Sequence, residues 1–194
     1  AVTTRCCNFP EDRSPPCEGH TLNLLPGQSS DMLIRHTFKS GDVGRLVEMH
    51  GLLYSQEYGF DHTFEAYVAK PLSEFVLRQS TSERIWLVDS DGMLMGSLAI
   101  VKHNETEAQL RWYLLHPTLR GKGLGMRLME ESIKFCREQG YKKVFLWTVS
   151  SLQAAARVYK KAGFQLVEEN THEIWGCLLT EQRYDLQLQP RTDC

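Results

Sequence analysis

The stretch His116-Pro117-Thr118-Leu119-Arg120-Gly121-Lys122-Gly123-Leu124-Gly125-Met126 decides how this chain is read. It lies between a strand-like segment, 108–115, and an amphipathic helix predicted over 123–139. In that helix Gly125, Leu128, Met129, Ile133 and Cys136 share one face, while Glu130, Lys134 and Arg137 share the other. Glycines at 121, 123 and 125 leave the backbone bare where the helix begins. The first amides of a helix have no partner within it, and the helix dipole is positive there, so this turn suits a phosphate. Arg120 and Lys122 add positive charge beside it. The spacing is neither that of a P-loop, Gly-x-x-x-x-Gly-Lys-Ser/Thr, nor that of a dinucleotide fingerprint, Gly-x-Gly-x-x-Gly after a first strand.

Toward the N-terminus, Met32-Leu33-Ile34 reads as a short strand. Ser40-Gly41-Asp42 opens a helix, with Ser40 or Asp42 as its cap. Val43, Leu46, Val47, His50 and Tyr54 form one face of that helix, and Glu57 falls on the same face at its end. A second helix is expected over 63–79, with a kink near Pro71. Strands follow over 84–88 and 94–102, separated by Asp91-Gly92, and a polar turn at Asn104-Glu105 leads into 108–115. Beyond the glycine turn come a β-branched and aromatic strand over 144–149 and an Ala-rich helix over 152–161, which ends before Gly163. Two last strands are expected near 164–169 and 184–188. The order is β-α-α-β-β-β-α-β-α-β-β. It predicts an α/β (α+β) domain with a mixed, mostly antiparallel central sheet and helices on both faces.

Composition bounds the function. The chain has 194 residues, a formal net charge of −2 and 42% hydrophobic residues, which suits one domain with its own core. The charge balance lacks the basic surplus of a nucleic-acid binder. No apolar run approaches the ~20 residues of a membrane span. The expected setting is cytoplasmic, with neither nucleic acid nor membrane as partner. Residues 1–30 carry Pro10, Pro15, Pro16 and Pro26 and no helical or strand period, and are read as a disordered leader; 31–188 form the domain and 189–194 a tail. The first residue is Ala1 rather than Met, which leaves an upstream segment open. Of six cysteines, Cys6, Cys7 and Cys17 lie in the leader and Cys194 ends the chain. Their placement argues against a disulfide framework, and with His20 they fit no zinc spacing, so no metal is expected.

The glycine turn, behind a strand and ahead of a helix, resembles the acetyl-CoA pyrophosphate loop of the GCN5-related N-acetyltransferases. Ala154-Ala155-Ala156-Arg157-Val158-Tyr159-Lys160-Lys161-Ala162-Gly163-Phe164 resembles that family's second signature, a helix ending in Tyr-x-x-x-Gly-Phe. The likeness covers 31–188 and agrees with the element order. Within the family, Gly41-Asp42-Val43-Gly44, His50-Gly51, Tyr54-Ser55-Gln56-Glu57-Tyr58-Gly59-Phe60, Leu146-Trp147-Thr148 and His172-Glu173-Ile174-Trp175-Gly176 are most similar to the acetyltransferase domain fused to MarR-type regulators. The leader is too short and too proline-rich to be the winged helix of such a regulator.

The resemblance implies direct transfer of acetyl from acetyl-CoA to a small-molecule or peptide amine in a ternary complex; a homodimer is compatible with it. Leu115 matches the position whose backbone pairs with the pantetheine arm, with Tyr113 and Leu114 on the same stretch. Arg120, Gly121, Lys122, Gly123, Leu124, Gly125 and Met126 would hold the pyrophosphate. This strand and 144–149 should splay apart to leave a slot. Tyr159 matches the tyrosine that gives a proton to the departing thiolate; a phenol stays protonated at neutral pH. Leu152 stands where many members carry a cofactor-binding Asn, with Ser151 and Gln153 as neighbours able to take its place. No carboxylate occupies the strand before the loop, so Glu57 is the candidate base or amine-binding group, and burial there would raise its pKa. His50 reads as a hydrogen-bonded core residue, Trp112 and Trp147 as core, and His172 and Glu173 as residues bordering the acceptor. The alternative from another class is a non-catalytic acyl-CoA-binding sensor tied to transcriptional regulation, which would need neither Tyr159 nor an acid in the cleft.

Overall fold

A computed structural model describes residues 32–188, so the leader, the tail and the cysteines at 6, 7, 17 and 194 lie outside the described residues. The elements are β1 (Met32–Arg35), α1 (Asp42–Tyr58), α2 (Thr63–Arg78), β2 (Arg84–Ser90), β3 (Met93–Lys102), β4 (Glu107–Leu115), α3 (Leu124–Glu138), β5 (Lys143–Val149), α4 (Gln153–Lys161), β6 (Gln165–Ile174) and β7 (Cys177–Gln187). A single 3-10 turn, Pro117–Leu119, joins β4 to the glycine loop. One seven-stranded sheet has the order β1-β2-β3-β4-β5-β7-β6. Every pairing is antiparallel except β4 with β5. The mixed, mostly antiparallel sheet expected from the element order is therefore present.

Alternation along the strands builds a core on each face. Trp86, Val88, Leu98 and Ile100 point to the side covered by α3 and α4, where Leu128, Met129, Cys136 and Tyr159 meet them. Ile85, Leu87 and Ala99 point to the side covered by α1 and α2, where Leu46, Met49, Leu72 and Phe75 are buried. The expected apolar face of α3 holds, with Glu130, Lys134 and Arg137 exposed.

Two expectations need correction. Neither Ser40 nor Asp42 caps α1: Gly41 holds that position at φ 95, and no side chain bonds the first amides. The Asp42 carboxylate instead takes Arg35 at 2.6 and 2.8 Å, and Arg35 also binds Asp89 at 2.8 and 3.0 Å. This pins α1 to the β1–β2 edge, and the Arg35 hydrogen bond holds the Asp89 carboxyl below its ordinary pKa. Second, the last two strands are much longer than expected, whereas α2 runs through Pro71 over the expected span. They form one hairpin, Gln165–Ile174 with Cys177–Gln187, whose outer strand is largely exposed and so carries no apolar alternation.

Two irregularities position the site. The β3–β4 register shifts between Ser97 and Ala99, and opposite the shift Trp112 takes φ 48. A bulge of this kind turns a strand and re-aims its side chains. The buried Ser97 hydroxyl donates to the Trp112 carbonyl at 2.6 Å and secures it. The second irregularity is the gap between β4 and β5, which pair only through Glu107↔Lys143, Ala108↔Val144 and Gln109↔Phe145. Beyond those pairs the two strands part, as the slot required.

Candidate active site

Two cavities meet at the splayed strands. The larger, ≈ 400 Å³, runs along the glycine loop and is lined by Glu57, Leu114, Leu115, Arg120, Gly121, Gly123, Gly125, Met126, Ala155 and Val158, among others. The smaller, ≈ 100 Å³, lies under α1 and α2 and includes His50, Phe60, Tyr67, Arg111, Trp112, Trp147, Thr148, Tyr159, Trp175 and Glu181 in its wall. Tyr54, Tyr113 and Leu152 line both, so the cavities adjoin there.

The loop leaves backbone amides bare at the start of α3. Gly121 and Gly123 have φ 74 and 80, a region that side chains rarely adopt, and a Cβ on either would meet nothing within 4 Å. No side chain caps α3, so its first amides stay available. Lys122 is exposed beside them. Gly125 serves a different end: a Cβ there would strike the Tyr113 hydroxyl, so glycine lets β4 and α3 touch. Burial pushes the Tyr113 phenol up to about 12. Leu115 keeps its side chain in the core, facing the bare Gly96, while it also lines the cleft. The residues present therefore fit an extended, phosphorylated cofactor whose arm lies along β4.

Arg120 is placed differently from a simple phosphate clamp. Its Nε donates to the Leu115 carbonyl at 2.8 Å and its Nη1 to the Glu57 carboxylate at 2.9 Å. Glu57 is correspondingly not buried in an apolar face. Its side chain is 27% exposed and turned toward the loop. At the start of α4, Leu152 carries no capping hydrogen bond, Ser151 is exposed, and Gln153 gives its amide to the Ser150 carbonyl at 2.7 Å.

Tyr159 is buried in the α4 face of the core and reaches the smaller cavity, with ring centroids 6.0 Å from Tyr113 and 5.9 Å from Tyr184. Burial raises its pKa well above the ordinary phenol value. His50 is buried, and its Nδ1 donates to the Leu46 carbonyl at 2.8 Å, as its core reading anticipated. Burial lowers its pKa to about 4, so the imidazole is neutral at physiological pH.

The far wall comes from the β6–β7 hairpin. Its tip, Trp175-Gly176, has φ 52 and 75 and docks on the α1–α2 connection, where the Asp61 amide donates to the Trp175 carbonyl at 3.0 Å. His172 Nε2 lies 3.1 Å from the Glu181 carboxylate at the pocket, whereas Glu173 is exposed. Trp112 is buried as expected, but Trp147 is only half-buried and lines the pocket. Sequence reading passed over Arg111 and Glu181. Both are pocket residues, and only the bulge and the long hairpin place them there. Among the described residues, no cluster of three His, Cys, Asp or Glu could hold a metal, and no helix is long and apolar enough to cross a membrane.

Comparison with known proteins agrees with this geometry. The model of the Acetyltransferase (GNAT) family matches residues 47–164. An uncharacterized N-acetyltransferase of Schizosaccharomyces pombe is 30% identical over 122 residues, covering 61% of this chain and 74% of that protein. The spermidine N(1)-acetyltransferase of Escherichia coli is 27% identical, over 80% of this chain and 79% of that protein. Among solved structures, yncA of Salmonella typhimurium, determined with its cofactor acetyl-CoA, aligns with a TM-score of 0.66 at 19% identity, covering 84% of this chain and 99% of that one. The chain belongs to the GNAT family of acetyltransferases, enzymes that move an acetyl group from acetyl-CoA to an amine.

Proposed function

We propose that the domain over 31–188 transfers acetyl directly to an amine held in the smaller pocket while the cosubstrate lies in the larger cleft. The observation that carries this reading is the junction of the two cavities at Tyr54, Tyr113 and Leu152, with Tyr159 in the wall beside it. Acetyl-CoA supplies the activated thioester. The amides opening α3, with Lys122, bind its pyrophosphate. The backbone of Leu114 and Leu115, free of β5 at this height, aligns its arm.

Tyr159 holds its proton across the neutral range and donates a hydrogen bond to the sulfur as negative charge develops there. The proton follows the charge. Glu57, one helical turn beyond Tyr54, is assigned as the base or amine-binding carboxylate, and Arg120 fixes its orientation. The sensor alternative gains no observation from this site. Within the family, we place the chain nearest the domain fused to MarR-type regulators. His50, Tyr54, Phe60, Trp147, Thr148 and Trp175 of that resemblance all line the smaller pocket.

The test is release of free thiol from acetyl-CoA across a panel of amines, preceded by thermal unfolding with and without acetyl-CoA. A ligand at 100 times its Kd stabilises the fold by about 2.7 kcal/mol. No shift at saturating acetyl-CoA would sink the cosubstrate assignment.

A further inference from the structure

Most small cavities in a folded protein satisfy their own polar groups. The smaller pocket does not. Among the described residues, three buried side-chain polar atoms lack a hydrogen-bond partner: Trp112 Nε1, Thr148 Oγ and His172 Nδ1. Trp112 and Thr148 line this pocket, and His172 is the residue paired with its Glu181.

Arg111 stands in the same wall. The β4 bulge puts successive side chains, Arg111 and Trp112, toward the same side of the sheet. The Arg111 guanidinium lies 5.8 Å from the Tyr67 ring centroid and 5.3 Å from that of Trp112, and its one side-chain hydrogen bond, to Gln109, is long at 3.4 Å. Among the described residues it forms no ion pair; Arg84, Arg137 and Arg157 form none either, but those three are exposed, whereas Arg35, Arg45, Arg78, Arg120, Arg127 and Arg183 are paired. Burial pulls its pKa down, with Glu74 and Arg78 of α2 acting in opposite directions from a distance. Arg111 is half-buried against the Tyr67 and Trp112 rings, and a guanidinium held there without a carboxylate has its fork open to one that a ligand brings.

We infer that the acceptor is an amine bearing a carboxylate near its amino group, an amino-acid-like zwitterion, and that Arg111 is the residue that selects it. This rests on the acetyltransferase reading and sharpens it. Arg111 presents a planar fork that matches a carboxylate. Glu181, the one carboxylate in this wall, complements the ammonium as it enters. The aromatic rings of Tyr67, Phe60 and Trp175 enclose a side chain, and a volume of ≈ 100 Å³ suits a ligand of amino-acid size. A polyamine, by contrast, would bring several positive charges to a wall that already holds one.

The experiment compares matched pairs: methionine and its decarboxylated amine, tyrosine and tyramine, with spermidine as a third arm, each read as kcat/KM with acetyl-CoA. The expected result is a preference of at least about 100-fold for the carboxylate member, because a site with unpaired polar groups rejects the analogue that lacks their partner. Arg111→Gln should bring the members of each pair to within about ten-fold, and Arg111→Lys should recover part of the preference. Acetyl-CoA should shift the melting of all three proteins alike, since Arg111 is outside the cofactor cleft. Amines without a carboxylate turned over as well as their acids would overturn the inference, as would spermidine outpacing both. An acetyl-CoA shift with no panel member acetylated overturns it too. Loss of that shift in the unsubstituted protein would instead strike the acetyltransferase reading, and calorimetric titration of the amino acids alone would then decide whether Arg111 binds them.

Discussion

Arg120 Nη1 sits 2.9 Å from the Glu57 carboxylate, clasping the glycine loop to the last turn of α1 across 63 residues of chain. A half-exposed pair of this kind contributes only about 0–1 kcal/mol to stability, so its effect should appear in kinetics. Glu57→Gln should lower kcat by at least about 100-fold, the low end of the 10²–10⁴ range of a general base, and leave acetyl-CoA affinity within a few-fold. Arg120→Gln should chiefly weaken acetyl-CoA binding. Steady-state kinetics with the best amine separates the two. Equal losses of acetyl-CoA affinity with kcat intact would reduce the pair to a clasp.

Tyr159→Phe removes one hydroxyl from a buried ring that packs on Tyr113, Phe164 and Tyr184. The ring itself remains, so the fold should be retained. Turnover should fall by about 10²-fold or more while calorimetry gives an acetyl-CoA affinity near that of the unsubstituted enzyme. Unchanged turnover would remove the proton-donor role.

Gly123→Asp places a carboxylate at the entrance to α3, on a residue with φ 80 whose Cβ direction is open. The added charge would lie where the pyrophosphate is expected, and like charges repel there. The thermal shift given by acetyl-CoA should disappear, and a retained shift would mean that the anion binds elsewhere.

His50 predicts a pH dependence of stability. Its folded pKa of about 4 lies below the 6.5 of an unperturbed imidazole, so the unfolded chain takes up the proton first as pH falls. Stability from this group is complete above about pH 6.5 and is lost progressively toward pH 4, by roughly 3 kcal/mol. Urea unfolding at pH 7.5 and 4.5 should register that loss, and His50→Asn should flatten it. A variant as acid-sensitive as the unsubstituted protein would place the titration elsewhere.

The glycine loop was legible because its chemistry is local: bare amides need glycines, and those glycines lie close in sequence. The smaller pocket was not legible. Residues 108–115 read as one strand, whereas the bulge at Trp112 depends on a hydroxyl from Ser97, fifteen residues earlier. Without the bulge, Arg111 and Trp112 would point to opposite faces. Glu181 was hidden for another reason. Its hairpin is held by backbone pairing to β5 rather than by an apolar stripe, so its length leaves little periodic trace. Glu57 was read at the end of its helix, where the structure has it, but its environment depends on Arg120, a partner that no pattern within α1 reveals.

The short β4–β5 seam has a wider consequence. Three residue pairs, reinforced by Lys143 bridging Glu107 at 2.7 Å and Asp185 at 3.7 Å, join the strands of a four-stranded half to a three-stranded half. Where the seam ends, the ladder between the two halves is unfinished, and an extended ligand arm lying there acts as the missing strand. If the proposed cosubstrate takes that place, it would be a member of the sheet as well as a reactant, and its binding there would stabilise the fold by mass action.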